Sequence, residues 1–209
     1  MNGLLIIGAG GQGKVVADTA LLLGWEDIAF LDDRAATLQP PLGMPIVGML
    51  ENLEAQRAAY FSAIVAVGDA KLRIQLTARC RRAGFDVVSV VHPKAYLSKF
   101  ASIGAGCAAF AQSAINAGAS MGAACIVNTG ATVDHDCLIG EGVHICPGAH
   151  LAGSVRVGDR SWIGIAATIR QGITIGRDAT VGAGAVVVAD VPDGSTVMGV
   201  PAKPRKNSP

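Results

Sequence analysis

One spacing limits what this chain can fold into more than any other feature. From Leu97 every sixth residue is apolar, through Ile103, Ala109, Ile115, Met121, Val127 and on to Val187, sixteen positions without a gap. Two residues before each of these sits a mostly small side chain, among them Ala101, Cys107, Ser113, Ala119, Cys125, Ala131 and Cys137. Residues two apart in a strand share a face. Each hexad therefore turns one large and one small side chain inward. Gly104, Gly122, Gly140, Gly158 and Gly176 recur every eighteen residues, so three hexads make one coil with a glycine at the same corner. The expected role of that glycine is to supply a positive φ at a tight turn. The pattern predicts a parallel β-helix of triangular section, with no long loop leaving it between Leu97 and Val187.

The first ninety residues follow another rule. Gly3–Ile7, Ile28–Leu31, Ala63–Val67 and Asp86–Val91 read as strands. Helices are expected after Gly13 to about Leu23, and after Gly68-Asp69 to about Ala83. Residues 34–48 are turn-rich, with Pro40, Pro41 and Pro45. Strands alternating with helices predict a small α/β unit with a parallel sheet, Rossmann-like in design. His92-Pro93 marks the junction, giving an α/β domain over 1–92 and an all-β helix over 93–209.

Three motifs carry chemistry. Gly8, Gly10 and Gly13, with Gly11 between them, form G-x-G-x-x-G between a strand and a helix. Such a loop turns backbone N–H groups and a helix N-terminus toward a diphosphate. Asp32 stands where a dinucleotide fold keeps its ribose-binding acid, but the domain is about half the length of a full dinucleotide fold. Three of the four histidines, His135, His144 and His150, fall within one coil's length. His135 is flanked by Asp134 and Asp136. An imidazole can accept a proton near neutral pH, and a carboxylate can fix its tautomer. Gly153 lies eighteen residues after His135 and so stacks beside it about 4.8 Å away, leaving space at the ring and a backbone N–H as a candidate oxyanion donor. Cys107, Cys125 and Cys137 read as core fillers, and Cys80 as a helix residue. Cys146, near the histidines, is a weak candidate nucleophile. No residue pair has the compact spacing of a zinc site, so no metal is expected.

Composition excludes other classes. The chain has 209 residues, 51% hydrophobic and 16% charged, with a formal net charge of +1, which excludes disorder as the main state. The only basic run is short, around Lys203, Arg205 and Lys206, and aromatics are 4%. Neither a nucleic-acid surface nor a base-stacking platform is indicated. No basic leader precedes the apolar N-terminal stretch, and no apolar run is long enough to span a bilayer. Five cysteines, an odd number, suit a reducing cytoplasm.

With these residues in view, the chain resembles the bacterial sugar acyltransferases related to sialic acid O-acetyltransferase. Among them it is most similar to N-acetyltransferases acting on nucleotide-linked 4-amino-4,6-dideoxy sugars of the UDP-N-acetylbacillosamine or perosamine type. The resemblance runs from GAGGQGKVV through FLDD, VGDAKLR and NTGATVDHDC to MGVPAK. It implies a left-handed helix, acetyl-CoA as co-substrate, and a homotrimer with active sites between subunits. It implies His135 as general base with Asp136 as partner, His144 against the thioester region, Gly153 as oxyanion donor, and Ile165 in the cofactor groove. Asn128 would lie near the acceptor, and Gly8, Gly10, Gly11, Gly13, Asp32, Asp33, Gly68 and Asp69 would hold the nucleotide. A role in lipopolysaccharide, capsule or glycoprotein glycan synthesis is the corresponding expectation. Two positions depart from the family pattern: Gln12 stands where relatives often have histidine, and Asp136 where some have glutamate. The expected activity is N-acetylation of a nucleotide-linked, UDP-linked, amino sugar. The alternatives are O-acetylation of sialic acid or another hydroxyl, a non-catalytic trimer scaffold, and an NAD-dependent enzyme.

Overall fold

A computed structural model describes residues 3–205; Lys206 of the basic tail lies outside them. The N-terminal domain is a four-stranded parallel sheet of β1 (Gly3–Ile7), β2 (Asp27–Leu31), β3 (Ser62–Val65) and β4 (Asp86–Val87), in the order β2-β1-β3-β4. Helix α1 (Gly11–Leu22) joins β1 to β2, and α2 (Ala70–Arg82) joins β3 to β4. The chain leaves β1 toward β2 on one side and reaches β3 on the other. The strand order therefore reverses between β1 and β3, and the crevice at their C-terminal ends is where such sheets take ligands. Residues Leu4, Leu5, Ile6 and Ile7 are fully buried, as a parallel strand covered on both faces requires.

The stretch expected as one strand from Asp86 to Val91 is divided. Asp86–Val87 pairs with β3, whereas Val90–Val91 pairs with Ala108–Ala109 as the first rung of the β-helix. From there each hexad gives a two-residue strand, and three sheets of five, six and eight strands form the walls, parallel but for the last strand of the eight. The register is eighteen residues per coil, as in Ile126↔His144↔Trp162 and Thr132↔His150↔Thr168. Of the sixteen large hexad positions, Leu97 and Ile103 in the first coil are only partly buried and the rest lie in one continuous core. Its last coil is covered by Thr196–Met198 and the antiparallel Lys203–Pro204.

The corner glycines do a different job from the one expected. Positive φ falls two residues later, at Gly106, Ala124, Gly142, Arg160 and Asp178. Gly104 and Gly122 are instead places where the next coil passes too close for a side chain. A Cβ on Gly104 would lie 2.5 Å from the Ala123 nitrogen, and one on Gly122 would lie 2.8 Å from the Glu141 nitrogen. The small inward residues serve this same corner: Ser89 Oγ, Cys107 Sγ, Cys125 Sγ and Ser161 Oγ donate to the carbonyls of Gly104, Gly122, Gly140 and Gly176. A buried carbonyl left unpaired is costly, so a small donor suits these positions.

The eight-stranded sheet faces the N-terminal domain. Val90, Ala108, Phe110 and Ile126 pack with Leu4, Ile6, Val16, Ala17 and Phe30. One side chain bolts the domains together. Arg73, on α2, is fully buried and donates to the carbonyls of Val67 and Gly68 in its own domain and of Ala124 and Gly142 in the β-helix, at 2.7–2.8 Å. Among the described residues, no helix is long and apolar enough to cross a membrane.

Candidate active site

The glycine loop divides into packing and open positions. Gly8 has φ +107, and a Cβ there would lie 2.8 Å from the Ala66 carbonyl oxygen. A Cβ on Gly13 would run into the Gly8 carbonyl. These two are needed for the turn itself. Gly11 has nothing within 4 Å of its missing side chain, and Gly10 only the Arg34 guanidinium at 3.8 Å. Packing does not require those two; they face a cavity of about 420 Å³ lined by Gly8, Gly10, Gly11, Gln12, Gly68 and His144 among others. Helix α1 has no side-chain cap, so its first N–H groups are free to meet an anion there.

The acidic residues expected at the nucleotide are engaged by the chain. Asp32 accepts the Ala9 N–H at 2.9 Å and pairs with Arg34 through both oxygens. Arg34 holds the Asp32 carboxyl down at about 2 despite partial burial. Asp32 thus braces the glycine loop and aims a largely exposed guanidinium across it. Asp33 accepts the Leu50 N–H, and Asp69 caps α2 by accepting the Leu72 N–H. A second, more apolar cavity of about 270 Å³ adjoins the first beyond Asp32 and Arg34, walled by Ile7, Leu31, Leu50, Val67 and Leu72.

His135 and Asp136 occupy the edge between the six- and five-stranded sheets. His135 Nδ1 and Asp136 Oδ2 are 2.8 Å apart, so the aspartate spans the distance without the longer glutamate. This bond raises the His135 pKa above the ordinary imidazole value, helped by the charges of Asp134 and Asp136. Asp134 accepts both the His135 N–H and the Asn116 amide, which lowers its own pKa. Two bare glycines make room for the pair. A Cβ on Gly153 would strike the His135 ring, and one on Gly118 the Asp136 carboxylate. Asp136 itself sits at φ 58, which aspartate tolerates better than most residues. The gap expected beside the imidazole is filled by the ring lying on Gly153. Among the described residues nothing accepts the Gly153 N–H.

The three histidines do not meet within the subunit. Closeness in sequence misleads because one coil carries them around three sides of a triangle. His150 projects from the six-stranded sheet, its Nδ1 3.0 Å from Thr132 Oγ1. His144 projects from the eight-stranded sheet, buried against Trp162 with ring centroids 4.3 Å apart. Burial, with a smaller push from the Arg73 charge, lowers its pKa to about 4. Asn128 Nδ2 lies 3.2 Å from its Nε2, and Ile165 is exposed along the same edge as Asn128. Cys146 is buried, its thiol pushed up to about 12, and is no nucleophile at neutral pH. Sequence reasoning missed Arg34, Arg73 and Trp162. Arg73 stood in the quoted VGDAKLR, but only the fold reveals that its partners lie 51 and 69 residues away.

Known proteins similar to this chain cover nearly its whole length. Residues 3–80 match the PglD N-terminal domain, and residues 154–189 match the bacterial transferase hexapeptide (six repeats). The acetyltransferase domain of PglB from Neisseria gonorrhoeae FA1090 is 46% identical, with a TM-score of 0.94 over 98% of this chain and 100% of that one. That domain is also known in complex with acetyl coenzyme A. A histidine-to-asparagine variant of perosamine N-acetyltransferase from Caulobacter crescentus, in complex with CoA and GDP-perosamine, is 42% identical, with a TM-score of 0.93 over 98% of this chain and 97% of that one. WeeI from Acinetobacter baumannii AYE is 28% identical, with a TM-score of 0.85 over 97% and 99%.

Proposed function

The chain belongs to the family of hexapeptide-repeat, acetyl-CoA-dependent acetyltransferases with a PglD-type N-terminal domain, and from that premise we propose that it acetylates the 4-amino group of a nucleotide-linked 4-amino-4,6-dideoxy sugar, UDP-linked in the first instance. The diphosphate lies at Gly10, Gly11 and the α1 N-terminus, near Arg34. The base enters the apolar cavity beside Leu31 and Leu50. The sugar then points toward the eight-stranded sheet. Acetyl-CoA runs along the edge marked by Ile165.

The observation that carries this reading is the His135–Asp136 pair seated on Gly153. Asp136 on Nδ1 leaves Nε2 as the free base. The neutral amine attacks the thioester carbonyl carbon, forming the C–N bond. Nε2 takes the amine proton, and the Gly153 N–H holds the oxyanion. Collapse breaks the C–S bond, and the imidazolium returns the proton to the departing thiolate. His135 lies on the edge opposite the sheet that faces its own N-terminal domain. The base therefore serves the nucleotide cavity of another copy, which supports a homotrimer with sites between subunits. The test is CoA release from acetyl-CoA with UDP- and GDP-linked 4-amino sugars, with sialic acid as hydroxyl control. Turnover with an amino sugar, reduced at least about a hundredfold in His135→Ala, is expected. Turnover with sialic acid alone, or an unaffected variant, would refute the assignment.

A further inference from the structure

The corner that carries His135 is built unlike the same corner in the coils that follow. Asp134 Oδ1 accepts the His135 N–H at 2.8 Å and the Asn116 side-chain amide at 3.0 Å. Asn116 lies one coil earlier in the same column. The His135 carbonyl accepts the Ser154 N–H at 2.8 Å, so both polar groups of the His135 backbone are held. The turn itself does not need the Asp134 bond. Gly118, Asp136, Ser154 and Gly172 take positive φ at equivalent places in successive coils, and the residues two before them are Asn116, Asp134, Ala152 and Arg170. Alanine and arginine side chains offer no acceptor, yet their corners close in the same way. With Ala152 in place of a carboxylate, the Gly153 N–H has no acceptor among the described residues. Two N–H groups thus stack about 4.8 Å apart on one edge; Asp134 occupies the first, and the second stays open. The bonds from the His135 N–H and from Asn116 hold the Asp134 carboxyl below the usual range, which keeps it an acceptor. The adjoining coils bring Ala117, Gly118, Gly153 and Ser154 against the His135–Asp136 pair. None of these titrates, and Asp134 and Asp136 are the charges that act on the imidazole.

We infer that Asp134, held in place by Asn116 from the preceding coil, is a positioning residue for the acetyl transfer: it anchors the backbone behind the His135 imidazole and occupies the His135 N–H, so that the stacked Gly153 N–H is the one presented to the oxyanion. This role rests on His135 being the base proposed above. The division of labour between the two aspartates follows from geometry. Asp136 bonds the ring at Nδ1 and sets its tautomer; Asp134 bonds the main chain and sets where the ring stands. A small shift of a base relative to its acceptor is enough to slow transfer. Asp134 touches neither reactant in this arrangement, so its loss acts on turnover and leaves binding in place.

The test compares Asp134→Ala, Asp134→Asn and Asn116→Ala in the intact protein, by kinetics with a UDP- or GDP-linked 4-amino sugar and by 15N NMR of His135. Asp134→Ala should lower kcat about tenfold or more while both KM values stay in place. Its His135 should titrate at lower pH, having lost a neighbouring negative charge, and its His135 amide should exchange faster with solvent. Asp134→Asn still offers an oxygen to the His135 N–H and to Asn116. It should recover most of the lost kcat and the amide protection while keeping the lowered titration. Asn116→Ala should lower kcat by a smaller factor and leave the His135 titration near that of the wild type, because the Asp134 charge remains. A purely structural role would lower Tm alone. Wild-type kcat in Asp134→Ala, or an Asp134→Asn variant as impaired as Asp134→Ala, overturns the inference. The NMR arm needs no acceptor: a His135 amide that exchanges equally fast in the wild type and in Asp134→Ala also overturns it. Full turnover in His135→Ala would remove the base reading itself, a different result from an intact His135 dependence with no effect at Asp134.

Discussion

At the residue scale, the chain separates two histidines by environment. His135 is exposed, bonded to Asp136, and has a raised pKa; His144 is buried and stays neutral down to about pH 4. A base works only when deprotonated, so the acid limb of kcat/KM should follow His135 and lie above the ordinary imidazole value. Asp136 stabilises the imidazolium. Asp136→Asn should therefore move that limb to lower pH while lowering the plateau by at least about tenfold, since the tautomer is no longer held. A full pH–rate profile checks both. A limb that stays put would show that another group titrates.

At the element scale, the β-helix depends on positions that must lack a side chain. A Cβ on Gly158 would press on the backbone of Arg177 in the next coil. Backbone cannot yield as a flexible side chain does. Gly158→Ala should cost about 2–3 kcal/mol, seen as a Tm lower by on the order of 5–10 °C. Ser154 stands at positive φ among exposed corner positions and is a fair control for a corner that tolerates a Cβ. One outward column also marks where the domain interface ends. Ala108 and Ile126 are covered by the N-terminal domain, His144 is the next step, and Trp162 is 40% exposed beside the cavity.

At the scale of the whole molecule, Arg73 decides how the nucleotide cavity meets the β-helix. It holds the Val67–Gly68 turn with one nitrogen and the β-helix corner at Ala124 and Gly142 with others. Arg73→Met would leave four carbonyls without their donor, those of Ala124 and Gly142 in buried surroundings, at a cost of about 3 kcal/mol or more. Chemical denaturation should show that loss. Nucleotide-sugar binding should weaken more than acetyl-CoA binding, because only the former spans the Gly68 turn. Equal loss of both would mean that Arg73 supports the fold without registering the site.

The hexad period, the βα alternation and the Asp-His-Asp triplet were all legible in the sequence, because each depends on residues near one another along the chain. The stacking of Gly153 on His135 was legible too, since the eighteen-residue coil turns sequence distance into spatial distance. That same coil hid the separation of His135, His144 and His150, whose directions depend on which wall of the triangle each residue occupies. The role of the corner glycines, the bracing of the glycine loop by Asp32 and Arg34, and the bridge made by Arg73 were decided only in three dimensions. A local period specifies which face a side chain takes, whereas burial and hydrogen-bond partners depend on what another part of the chain brings against that face.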